Sequence, residues 1–118
     1  MLTLPQNKII YVYTEPVDMR KSINGLIAIL VEMFTQNPQS GDFYLFTNRQ
    51  RNKIKCLFWD RNGFALYYKR LEKGRFNYSK YMSEDKLVIS ETQLKALLVG
   101  LDFYLLGHLP EDHYNDFF

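Results

Sequence analysis

The sequence predicts an α+β fold: a mainly antiparallel, twisted sheet of about four to five strands with two helices. Three observations carry this. Short runs rich in Ile, Val, Tyr and Phe recur between turn residues. Asn62-Gly63 lies between two of those runs, the signal of a tight hairpin. Two other segments space their apolar residues helically rather than alternately. A single domain is expected over residues 1–118, with its core in about 8–103 and a tail at 104–118. At 118 residues and 47% hydrophobic, the chain is long enough to bury a core.

In chain order, residues 7–14 ("NKIIYVYT") read as a strand ended by Pro16. Asp18 reads as the N-cap of the first helix, whose apolar stripe is Ile23, Leu26, Ile27, Leu30, Val31 and Phe34. Arg20 and Lys21 then fall in the first turn, where the helix dipole disfavours cations. In projection Arg20 meets the edge of the stripe. It is therefore expected to be structural, together with Asp18, through an ion pair with Asp18 or Glu15 or bonds to carbonyls. Lys21 points away and, beside free N–H groups, makes a seat for phosphate. The far face carries Ser22, Gly25, Ala28, Ile29 and Glu32. Gly25 costs a helix about 1 kcal/mol relative to Ala, so it signals close approach of another element. Burial by the C-terminal segment is the first expectation, a homodimer or partner surface the second.

Pro38 and Gly41 end this helix. Residues 42–46, 52–60 and 63–71 read as strands, and 85–90 as a further short one. Ser90-Glu91-Thr92-Gln93 is a capping box that opens a helix with Leu94, Leu97, Leu98 and Leu101 on one face. A two-residue turn at Asn62-Gly63 would pair Trp59 with Leu66, Leu57 with Tyr68, and Lys55 with Arg70. One hairpin face is then apolar, with Ile54, Cys56, Phe58, Ala65 and Tyr67. The other has an aromatic end near the turn and a basic end away from it.

Charge is distributed unevenly. Residues 48–81 hold ten Lys or Arg against two acids, while residues 102–118 hold four acids and no Lys or Arg. Arg49, Arg51, Lys53, Lys55, Arg70, Lys73 and Arg75 all attach to the basic end of the hairpin, where Lys55 opposite Arg70 would be a repulsive cross-strand pair. A phosphate backbone relieves that repulsion, so these residues, with Lys21, are the expected DNA-binding set. Trp59, Tyr68 and Gly25 are the expected protein-contact residues.

Other chemistries find no support in the residues. A lone Cys56 excludes an intramolecular disulfide and a cysteine zinc site. His108 and His113 are spaced wrongly for one helical face, so no metal is expected. There is no Gly-rich phosphate loop and no nucleophile motif, hence no cofactor and no catalysis by this chain alone. No apolar run approaches the length of a membrane span, and a cytoplasmic setting is the default.

The stretches "PVDMRKSINGL", "NKIKCLFWDRNGFALYYKRLEKGRF" and "QLKALLVGLDF", in that order over about residues 10–103, resemble the TnpB accessory protein of insertion-sequence sixty-six type elements, the Orf-two-like family. The resemblance covers Asp18, Met19, Arg20 and Lys21, then Trp59, Asp60 and Gly63, then Tyr68 through Leu71 and Gly74 through Phe76. It implies a bacterial protein that assists transposition without being the transposase; taken with the basic cluster, the expected partners are DNA and the transposase or another mobile-element protein. Two readings follow: a DNA-binding accessory subunit, or an adaptor that docks on the transposase without binding DNA.

Overall fold

The computed structural model describes residues 7–34, 36–77 and 86–99. Its elements are β1 (Ile10–Tyr13), α1 (Ile23–Ile29), β2 (Phe43–Thr47), β3 (Lys53–Asp60), β4 (Gly63–Arg70), β5 (Lys86–Ile89) and α2 (Glu91–Leu98). A π-helical turn at Leu30–Phe34 extends α1, and a short 3-10 turn at Pro38–Ser40 precedes β2. The strands form one sheet in the order β4-β3-β2-β1-β5. β1 and β2 are parallel and the other neighbours antiparallel, so the sheet is mixed rather than purely antiparallel. The α1 segment is the reason: parallel neighbours need a crossover, and a helix lying between two adjacent strands supplies one.

Residue alternation assigns each side of the sheet to one helix. Ile10, Val12, Phe43, Leu45, Ile54 and Cys56 face α2, where Leu94, Leu97 and Leu98 pack with Phe76. Tyr11, Tyr13, Tyr44, Phe46 and Leu57 face α1, where they meet Leu26, Leu30 and Val17. Every residue of β1 and β2 is buried, which is why those strands alternate so weakly in sequence. Ring contacts tie neighbouring strands: Tyr11 stacks on Tyr44 at 5.3 Å and Phe43 on Phe58 at 4.5 Å. Cys56 packs among the apolar residues, and burial pushes its thiol pKa up.

The second helix forms as its sequence indicates. Ser90 Oγ accepts from Gln93 N at 3.1 Å, and Gln93 Oε1 accepts from Ser90 N at 2.9 Å. Its other end is held by Lys69, whose Nζ donates to Leu98 O at 2.7 Å, a cation at a helix C-terminus. Leu101, the two histidines and the 104–118 tail lie outside the described residues, as does the expected cover of α1 by the C-terminal segment.

Two local expectations are corrected. The first helix has Ser22 at its N-cap position, without a side-chain cap bond, and starts at Ile23, so Arg20 and Lys21 precede its first turn. Asp18 is spent on a tighter turn instead, its Oδ1 accepting from Arg20 N at 2.9 Å. Arg20 consequently stands away from the apolar stripe, with its side chain 92% exposed. In the hairpin, Asp60 pairs with Gly63, so the turn residues are Arg61 and Asn62. Asn62 N donates to Asp60 O at 2.6 Å across Arg61, whose φ is +58°. Gly63 becomes the first strand residue, and the pairing moves by two positions: Trp59 faces Phe64, Lys55 faces Tyr68, and Arg70 faces Lys53. An even shift changes partners but not faces. The apolar and basic faces therefore stand as expected, and only the like-charge pair is different.

Leu26 is fully buried at the centre of the α1 side. Leu26→Ala should destabilise the fold by about 2–5 kcal/mol, seen as a lower urea midpoint at unchanged slope.

Candidate functional site

Because β1 and β2 are parallel, their C-terminal ends lie at the same end of the sheet. The loop leaving β1 and the turn leaving β2 are therefore neighbours. Val17 N–H donates to Thr47 O at 2.8 Å and ties the Pro16–Arg20 loop to the end of β2. Antiparallel β3 starts at that end with Lys53, and β4 finishes there with Arg70. Between the loop and the β2–β3 turn opens a cleft of about 520 Å³, lined by Asp18, Arg20, Arg49, Gln50, Lys53 and Tyr68 among others.

The β2–β3 turn is shaped by Asn48, a residue not among the expected site residues. Its Oδ1 accepts from Asn52 N and Lys53 N at 3.1 and 3.0 Å, while its Nδ2 donates to Asn52 Oδ1 at 2.7 Å and to Gln50 Oε1 at 3.2 Å. An Asn followed by short polar residues between two strands is the signal that could have revealed it. Arg51 takes φ +58°, a left-handed conformation that favours Gly. The segment after β4 returns to this turn. Leu71 N donates to Asn52 O and Phe76 N to Arg51 O, both at 2.7 Å, and the Phe76 side chain is buried on the α2 side. Exposed Lys73 and Arg75 lie between those anchors.

The expected cations divide by what holds them. Lys55 is half-buried, and its Nζ donates to Met19 O at 2.7 Å and Lys21 O at 2.8 Å, with the Tyr68 ring centroid 5.5 Å away. It fastens the loop before α1 to β3. Arg70 pairs with Glu72 at 2.9 Å, and that carboxylate raises the arginine's pKa. Among the described residues no ion pair joins Arg49, Lys53, Lys73 or Arg75 to a carboxylate. Lys53 and Arg70 face each other across the strand pair, a like-charge juxtaposition in place of the one expected at Lys55.

The ion pair expected between Asp18 and Arg20 is made, but at the exposed surface rather than at the edge of the core. The guanidinium Nε meets both carboxylate oxygens, at 3.1 and 3.0 Å, and Nη2 meets Oδ2 at 2.6 Å. Hydrogen bonds from the Arg20 side chain and backbone hold the Asp18 pKa down to about 2. The one carboxylate in the cleft lining is thus neutralised by its neighbour.

The expected protein-contact residues do not form a single patch. Trp59, near the hairpin turn, meets the Phe64 ring edge-on at 5.0 Å. Tyr68 lies in the cleft and is half-exposed. Gly25 lies against the methylenes of Lys21: a Cβ added there would come within 3.2 Å of Lys21 Cβ. The lysine's own stem occupies that space in the protein. Among the described residues no cluster of His, Cys, Asp or Glu could hold a metal ion, and no helix is long and apolar enough to cross a membrane.

Fold and site together define a small mixed-sheet α+β domain, with a helix on each face and a cationic cleft at one end of the sheet. The chain belongs to the IS66 Orf2-like family: the family model described as "IS66 Orf2 like protein" matches residues 8–106. It is similar to two proteins of Sinorhizobium fredii (strain NBRC 101917 / NGR234), both described as uncharacterized. Protein y4jC is 33% identical over 101 residues, 86% of each chain. Protein y4hO is 32% identical over 103 residues, 87% of this chain and 89% of its own. No solved structure matches the chain. Family membership makes this an accessory protein of a transposable element, distinct from the transposase.

The depressed Asp18 pKa carries a direct consequence. The carboxylate's contribution is complete above its unfolded pKa of about 3.9 and is lost as pH falls toward about 2. An NMR titration should place the Asp18 midpoint near 2, and Arg20→Ala should return it toward about 3.9. For Lys55, replacement by Met leaves the carbonyls of Met19 and Lys21 without their charged donor. A loss of about 1.5–3 kcal/mol in urea unfolding is expected. An unchanged midpoint would show that the tether contributes nothing.

Proposed function

We propose that this accessory protein assists transposition by binding DNA through the backbone phosphates, with the basic end of the β3–β4 hairpin as the contact surface. The observation that carries the reading is the juxtaposition at that end. Lys53 and Arg70 are opposed, and Arg49 and Lys53 line the cleft with no carboxylate partner among the described residues. Glu72 eases the repulsion at Arg70 in the free protein, and the cluster as a whole remains favourable against a polyanion. Arg51, Lys73 and Arg75 belong to segments bonded together at the same end, and Lys21 adds a cation at its margin. Lys55 supports the surface from beneath, because its ammonium is held by two carbonyls. Contacts of this kind position a protein on DNA without reading sequence, so selection of element ends would fall to other contacts or to the transposase.

The adaptor reading draws on a different observation. Val31, expected on the core-facing stripe, and Met33 lie on the turn that extends α1 and are exposed apolar side chains away from the basic end. A partner of the same mobile element, or a second copy of the chain, would cover them.

Fluorescence anisotropy with element-end duplex, scrambled duplex and heparin competitor over a salt series tests the first reading. With about five phosphates neutralised, log K should fall against log salt with a slope near −4 to −5. Arg49→Ala and Lys53→Ala should each weaken binding across all sequences and reduce the slope by about 1. Absence of binding at low salt would remove the DNA reading and leave the adaptor, to be tested by pull-down with the transposase and Val31→Asp.

A further inference from the structure

We infer that the cleft receives an unpaired nucleotide of single-stranded DNA, with its base against the Tyr68 ring and its phosphate between Arg49 and Lys53. This rests on nucleic acid as the partner of the basic end and adds the form in which it is held.

The first argument is shape. A cleft of about 520 Å³ has the size of a small-ligand site. A splayed nucleotide can enter it base first, an approach closed to a base paired inside a duplex. The second is the aromatic group inside it. Tyr68 keeps half of its surface exposed although it stands on a strand. It is also held in place: Lys55 faces it in register, lies 5.5 Å from its ring centroid, and is itself anchored by Met19 O and Lys21 O. A ring supported from a rigid strand by a fixed cation is a stacking platform, and stacking accepts any base because each has a π-face. The third is charge. Arg49 and Lys53 line the same cleft, and its acid, Asp18, is neutralised by Arg20. Phosphate therefore meets cations there without an opposing bare carboxylate. A cationic groove with an aromatic in its lining is the combination by which single strands are held.

The test uses the full chain with a fluorescein-labelled oligothymidylate and a duplex of equal length, at one salt concentration. Tyr68→Ala should weaken the single strand roughly 5- to 150-fold, the range for loss of one stacked base, and change duplex binding less than about twofold. Tyr68→Phe should bind the single strand like the parent. A thermal melt of each variant accompanies the titrations, and a second measurement needs no variant. Tyr68 ring protons of the unaltered protein should shift upfield in NMR spectra as oligothymidylate is added. Duplex binding without that shift, or a Tyr68→Ala loss equal on both ligands, overturns the inference and leaves the duplex reading in place. Single-strand binding that responds to Tyr68, with no duplex binding at low salt, overturns the duplex reading and supports the inference. Failure of both ligands to bind removes both.

Discussion

The parallel pairing of β1 with β2 is the constraint on which the rest of the molecule depends. Both strands are buried along their whole length, so apolar cover is needed on both faces of the sheet. One face is covered by α1, which the parallel connection itself requires, and the other by α2, which follows β5. The same pairing brings the C-terminal ends of β1 and β2 to one side. There the loop leaving β1 bonds to the end of β2 through Val17 and Thr47. The cleft is thus a product of strand direction: had β1 and β2 been antiparallel, the two loops would lie at opposite ends.

Electrostatics at that end are arranged in layers. Half-buried Lys55 is satisfied by two carbonyls and fixes the loop before α1. Arg20 and Arg70 are each matched by an acid two residues away in sequence. Such exposed pairs add little to stability, but they neutralise Asp18 and Glu72, which would otherwise repel an anion. Arg49 and Lys53 keep their charge uncompensated by carboxylates among the described residues, and they share the cleft with a half-exposed aromatic ring. Cations without carboxylate partners in an otherwise well-satisfied fold are what the proposed contact with an anion draws on.

Particular residues show how far the sequence could be read. Ser90 and Gln93 declare their helix because a capping box is closed by groups three residues apart, and that geometry needs nothing from elsewhere in the chain. Hairpin faces were legible for a similar reason: alternation survives an even shift in register. The register itself was not legible, because Asn62-Gly63 is as good a turn signal as any, yet Arg61 accepts a left-handed φ and lets Gly63 enter the strand. Asp18 misled in the same way. A carboxylate before a helical pattern reads as a cap, but here its oxygens are taken by Arg20, and Ser22 stands at the helix start.

By itself, the sequence determined the α+β class, the approximate strand and helix segments, the apolar and basic faces of the hairpin and the concentration of cations in residues 48–81. These follow from local periodicity and composition, which are written along the chain. Tertiary structure alone decided that β1 and β2 run parallel, that Lys55 turns inward to carbonyls more than thirty residues away, and that Tyr68 shares a cleft with Arg49 and Lys53. Each of these depends on which distant segments become neighbours, and that is set by the packing of the whole sheet between its two helices.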